Sequence, residues 1–75
     1  MEVYFTSPTI GKVYGSVNTE DHKTYYFKGN NVLISIELCR SQSGWVCQKE
    51  HWLHDHQVQE IGLQIDKMEK WLSAQ

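Results

Sequence analysis

Both cysteines and three of the four histidines of the chain lie in the stretch "CRSQSGWVCQKEHWLHDH", residues 39–56. Cys39, Cys47, His51, His54 and His56 are the residue types that hold zinc, close a disulfide or build a Cys–His nucleophile. Each chemistry makes demands that spacing can test. Structural zinc sites present ligands in pairs at about C-x2–4-C and H-x3–5-H, because one tight turn then offers two ligands at once. Here seven residues separate the cysteines, and the histidines are separated by two residues and by one. A nucleophile needs an orienting third group and an oxyanion hole. No nucleophile elbow, phosphate loop or carboxylate pair accompanies these thiols. The expectation is therefore two reduced cysteines, histidines on the surface at the start of a helix, no catalytic residue, no cofactor and no enzyme activity. Zinc held by Cys39, Cys47, His51, His54 and His56 is the alternative. On acidification the three clustered histidines are expected to repel one another, below about pH 6.

Whether the thiols meet depends on how two strands pair. If the loop between residues 39 and 47 is odd (Gln42 to Gly44), Cys39 and Cys47 lie directly opposite, within reach of a disulfide or a shared metal. Glu37 then faces Lys49, a pair that contributes at most about 1 kcal/mol. That register also places Gln48 and Glu50 on the core face. An even loop sets Arg40 opposite Trp45 and Leu38 opposite Cys47, and turns Cys39 to the other face. Burying an indole and a thiol in place of an amide and a carboxylate is the larger effect. The even register, with separated thiols, is expected.

The elements that position these residues divide by period. Residues 2–6, 11–18, 24–28, 31–39 and 45–49 read as strands joined by turns. The alternation of Val32, Ile34, Ile36 and Leu38 is the strongest strand signal. Gly29–Asn30 reads as a two-residue hairpin turn, because both residues tolerate positive φ. It pairs Phe27 with Val32, Tyr25 with Ile34 and Tyr26 with Leu33. A five-residue loop, Thr19 to Lys23, pairs Val17 with Tyr25, and the two turns give one consistent apolar face. Residues 56–73 read as a helix whose Val58, Ile61, Ile65, Met68 and Leu72 form a stripe at intervals of three and four. Asp55 is its expected N-cap. The stripe is expected to cover the sheet; the competing reading is a coiled-coil seam, too short here to stand alone. Leu63 and Trp71 fall outside it.

The fold class is thus α+β: a five-stranded antiparallel meander, open or curled into a small barrel, with one C-terminal helix packed on one face. Residues 1–75 form one domain. Hydrophobic residues make up 40% of the chain and aromatics 12%, which argues against disorder. The formal charge of −2 lacks the basic excess of a protein held mainly by phosphates. Neither a signal peptide nor a membrane span is visible, so a reducing, cytoplasmic location is the expectation.

With the helix on one side, the other face of the sheet carries Tyr4, Lys12, Tyr14, Ser16, Tyr26, Leu33, Ser35 and Glu37. Tyrosine suits interfaces because it offers area together with a hydrogen-bonding tip. The expected function is a small non-enzymatic interaction module of the regulator or inhibitor type. It would act by protein–protein contact through this face or an exposed edge strand, with a homodimer or another protein as the partner. Tyr4, Tyr14, Tyr26 and Leu33 would form the contact, with Lys12 and Glu37 at its rim. Single-stranded nucleic acid stacked on the same aromatics is the alternative.

Overall fold

The computed structural model of the chain describes residues 1–47 and 53–73, the last three by their backbone. Five strands run in chain order, β1 (Glu2–Ser7), β2 (Gly11–Thr19), β3 (Thr24–Gly29), β4 (Ser35–Ser41) and β5 (Gly44–Cys47), followed by the helix α1 (Asp55–Ser73). Every neighbouring pair is antiparallel, and the sheet order is β1-β2-β3-β4-β5. The sheet curls into a half-barrel. Helix α1 lies against its two edge strands, β1 and β5.

The concave side holds the core. Val3, Phe5, Val13, Val17, Tyr25, Phe27, Ile36, Leu38 and Trp45 alternate inward along the strands, and Val58, Ile61 and Ile65 meet them from the helix. Two close approaches need glycine. A Cβ on Gly15 would stand 2.5 Å from the ring of Phe27, and one on Gly62 would stand 2.2 Å from the indole of Trp45. These absent side chains let a phenyl ring lie across β2 and an indole lie against α1.

The β4–β5 register is the even one. Arg40 faces Trp45 and Leu38 faces Cys47 across a two-residue turn. Two other registers differ from the sequence reading. Phe27 pairs with Ile36 and Tyr25 with Leu38, not with Val32 and Ile34. The loop is longer than Gly29–Asn30: Gly29 N–H donates to Ile34 C=O at 2.9 Å, which leaves residues 30–33 as the turn. Val32 folds over Gly29, where a Cβ would meet its Cγ2 at 2.6 Å, and packs on the core from the loop. β4 therefore starts at Ser35 and not at residue 31. Between β2 and β3, Val17 pairs with Phe27 and not with Tyr25. There the Asp21 carboxylate accepts the N–H groups of Lys23 and Thr24, both at 2.9 Å, and sets the turn. Both offsets are even, so the inward face is preserved. The end of the expected fifth strand, residues 48 and 49, lies outside the described residues.

The helix begins differently from expectation. His54, not Asp55, occupies the N-cap: its C=O accepts from the N–H groups of Gln57 and Val58. The Gln57 side chain reaches back to the His54 N–H at 2.8 Å, the returning half of a capping box. Asp55 sits in the first turn, where its charge suits the helix dipole. Of the apolar stripe, Val58, Ile61 and Ile65 are buried, while Met68 is 37% exposed. The side chains of Trp71 and Leu72 lie outside the described residues.

The polar residues flanking the stripe close both edges of the sheet. Gln64 accepts from Tyr4 N–H at 3.1 Å and donates to Tyr4 C=O at 2.6 Å. Glu60 accepts from Thr6 N–H at 2.7 Å, and Gln57 donates to Thr6 C=O at 3.0 Å. At the other edge, Gln59 accepts from Trp45 N–H at 3.0 Å and donates to Trp45 C=O. Four helical residues advance about 6 Å and two strand residues about 6.6 Å. Glu60 and Gln64 therefore keep step with Thr6 and Tyr4 as helix and strand run in opposite directions.

Candidate functional site

Three groups of residues bear on function: the outer face of the sheet, the cysteine–histidine stretch, and a polar cluster on Arg40.

On the outer face, Tyr4 and Tyr14 pair across β1–β2 with their rings 5.6 Å apart and tilted by 50°. The ammonium of Lys12 lies 4.7 Å from the centre of the Tyr4 ring, a cation–π contact of up to about 1 kcal/mol at an exposed site. Tyr14 and Tyr26 are 47% and 45% exposed, so neither is covered by the fold. Tyr26 faces Asn18 on one side and Glu37 on the other. It thus stands four positions along β2 from Tyr14, about 13 Å at ~3.3 Å per residue. Ser16 and Lys28 occupy the row between. Leu33 does not sit opposite Tyr26. It lies in the β3–β4 loop, fully exposed, and the Asn30 N–H of that loop donates to Tyr14 C=O at 3.0 Å. The expected continuous patch is therefore two separate patches, Tyr4–Tyr14–Lys12 and Tyr26–Glu37, divided by a polar row.

The cysteines point to opposite faces. Cys39 pairs with Val46 and Thr24 on the outer side, and Cys47 packs against the core beneath Leu38. Both are half-buried, where Cys47 had been expected to be buried, and no disulfide joins them. His54 and His56 are exposed at the start of α1 with their rings stacked at 5.7 Å. They border an open hollow with Thr6, Pro8 and Glu60. His51 lies outside the described residues. Among the described residues no three His, Cys, Asp or Glu side chains converge on a point that could hold a metal.

The Arg40 cluster is the feature that sequence reasoning missed. The guanidinium of Arg40, the single arginine of the chain, lies 4.7 Å from the centre of the Trp45 ring and 5.2 Å from that of Tyr25. The two rings meet edge to face at 5.3 Å. Arg40 donates to Asp66 at 2.9 Å, to the Tyr25 hydroxyl at 3.2 Å and to Glu69. Trp45 Nε1 donates to the other oxygen of Asp66 at 3.0 Å, and the Tyr25 hydroxyl donates to Glu69 at 2.5 Å. His22, held at a positive φ of 58°, approaches Glu69 at 3.4 Å. The electrostatics follow from this geometry. Burial works against the charge on Arg40, but the hydrogen bonds to Glu69, Tyr25 and Asp66 outweigh it and hold the guanidinium firmly protonated. Burial likewise opposes the Glu69 carboxylate, yet donation from Tyr25, Arg40 and His22 brings its pKa below the usual value. Burial and the adjacent Glu69 push the Tyr25 hydroxyl up. Every strong donor here has an internal acceptor, so the cluster pins the helix to the sheet. The available signal was the Arg40–Trp45 pairing together with Asp66 and Glu69, three apart on one side of the helical stripe.

Among the described residues no helix is long and apolar enough to cross a membrane. Comparison of the chain with protein-family models, curated proteins and solved structures finds no match, so the geometry above is the ground for a functional reading.

Proposed function

We propose that the chain is a small non-enzymatic interaction module, working in a reducing cytoplasmic setting, that binds another protein through the outer face of its sheet. The simplest partner is a second copy. The carrying observation is that the helix occupies the concave side alone, leaving Tyr14 and Tyr26 nearly half exposed on the convex side. The face carries Lys12 and Lys28 together with Glu2 and Glu37, so a two-fold related copy can set lysine against glutamate around the tyrosines. A standard interface takes about 800 Å² from each partner, which requires both patches and the polar row between them. The backbone of the edge strands is a poorer contact, because helix side chains already occupy it at Tyr4, Thr6 and Trp45.

Equilibrium ultracentrifugation tests the proposal. A wild-type dimer is expected at micromolar concentration, weakened by Tyr26→Glu with the fold retained. A wild-type monomer at about 100 µM, a weak-interface concentration, removes the dimer. Nucleic acid is the competing ligand of this face. Arg40 is committed to Asp66 and Glu69, and the Tyr4 and Tyr14 rings are in contact with each other. Salt-dependent binding of a labelled single-stranded oligonucleotide would favour that reading over protein contact.

A further inference from the structure

We infer that Gln57, Glu60 and Gln64 act as a surrogate strand at the β1 edge, and that the partner they exclude is a second copy of this chain pairing antiparallel through β1. Edge strands display unpaired N–H and C=O groups that recruit other strands unless something covers them. On β1 the outward groups are those of Glu2, Tyr4 and Thr6, and helix side chains match those of Tyr4 and Thr6 donor for acceptor. A primary amide carries an acceptor and a donor on one planar centre, as a peptide group does, so Gln64 alone satisfies both groups of Tyr4. A carboxylate accepts only. Glu60 therefore takes the Thr6 N–H, and the Thr6 C=O must find its donor on Gln57, which supplies it. The match is the one a sixth strand would make.

The strand beneath has reason to be guarded. Its sequence, Glu-Val-Tyr-Phe-Thr-Ser, is β-branched and aromatic, free of proline, and charged only at Glu2. That is the composition that pairs between chains. A two-fold axis beside β1 would bring it antiparallel to its own copy. The inference does not depend on the outer-face proposal, since edge and face are different surfaces.

The test uses the full chain in a Tyr26→Glu background, so that association through the outer face is suppressed. Glu60→Met with Gln64→Met keeps side-chain length and leaves Val58, Ile61 and Ile65 in place, while removing three of the four bonds to the backbone of Tyr4 and Thr6 and the bond of the Thr6 hydroxyl to Glu60. Sedimentation over about 10–500 µM should show self-association at least about ten-fold tighter than in the background protein. Adding Thr6→Pro, which deletes an outward N–H at a permitted edge position, should return the mass to that of the background. A folded variant whose mass matches the background across the range overturns the inference, as does association that Thr6→Pro leaves unchanged. If circular dichroism shows the double variant unfolded, Gln64→Asn carries the same test with the same two outcomes, because it withdraws the amide by one carbon.

Discussion

Gly62→Ala should destabilise the domain, although helix propensity alone says the reverse. Alanine is favoured over glycine inside a helix by about 1 kcal/mol. At position 62 the new methyl would lie 2.2 Å from Cγ and Cδ1 of Trp45, against an ordinary contact of 3.4 Å or more. Helix and indole must therefore separate until the contact reaches at least 3.0 Å, below which real Cβ contacts essentially never lie. The ring has little room to yield. It is 3% exposed, its Nε1 donates to Asp66 at 3.0 Å, Tyr25 lies against it and Arg40 stacks on it. Moving the helix instead strains the Gln59 bracket on the same residue. Overpacking of this kind costs about 1–3 kcal/mol; set against the propensity gain of about 1 kcal/mol, the expected net loss is about 0–2 kcal/mol. For a chain of this size each kcal/mol lowers Tm by about 4–8 °C. Urea unfolding followed by far-ultraviolet circular dichroism, with an unchanged m-value, measures it. In a Trp45→Leu background the cost should shrink by at least about 1 kcal/mol, the coupling that a double-mutant cycle reports for residues in contact. A Gly62→Ala protein more stable than wild type would refute the close packing of α1 on Trp45.

Ile65 is fully buried; Ile65→Ala should cost about 2–4 kcal/mol, a large part of the total for a domain this small, and a shift under about 0.5 kcal/mol in denaturant would show that the stripe is not core. Glu69 has a folded pKa below its ordinary 4.5, so its charge stabilises the fold above that value and the contribution fades as pH falls through the folded value. The Tm gap between wild type and Glu69→Gln should therefore be full near about pH 6 and close on acidification, whereas a gap constant down to about pH 3 would mean that the carboxylate gains nothing from its donors. Titration of the unfolded protein without reductant should find two thiols per chain, and elemental analysis should find no stoichiometric zinc; one zinc per chain would revive the cysteine–histidine site.

What the residues revealed in advance depended on how much energy separated the alternatives. The β4–β5 register was legible because the wrong parity would have put Gln48 and Glu50 on the core face and taken Trp45 off it. The β3–β4 register was not, because shifts of two or four residues leave every side chain on its proper face and cost little in any local account. Val32 continues the alternation of Ile34 and Ile36 but belongs to the loop, where it reaches the core by folding over Gly29. That miss moved Leu33 away from Tyr26, while the two-residue shift between β2 and β3, which sets Tyr26 opposite Asn18, divided the outer face. At the helix, the apolar stripe was readable from Val58 to Ile65. Beyond it, Asp66 and Glu69 take over the contact with the sheet. Their partners Tyr25, Arg40 and Trp45 come from three strands, β3, β4 and β5, a convergence that no local pattern announces.

The bracketing of β1 by α1 also sets an order of events. Tyr4 is completed by a residue 60 positions further along the chain, and Thr6 by residues 51 and 54 positions further. The first strand to be synthesised is thus the last to have its outer edge satisfied. Until Gln57 to Gln64 have emerged and coiled, β1 can pair with β2 but carries an open edge, and the core lacks its lid of Val58, Ile61 and Ile65. Contacts of such long range slow folding relative to local ones. A nascent chain halted after β5 holds a sheet with no means of closing itself, and the interval before the helix arrives is when this small domain is most exposed to mispairing and to chaperones.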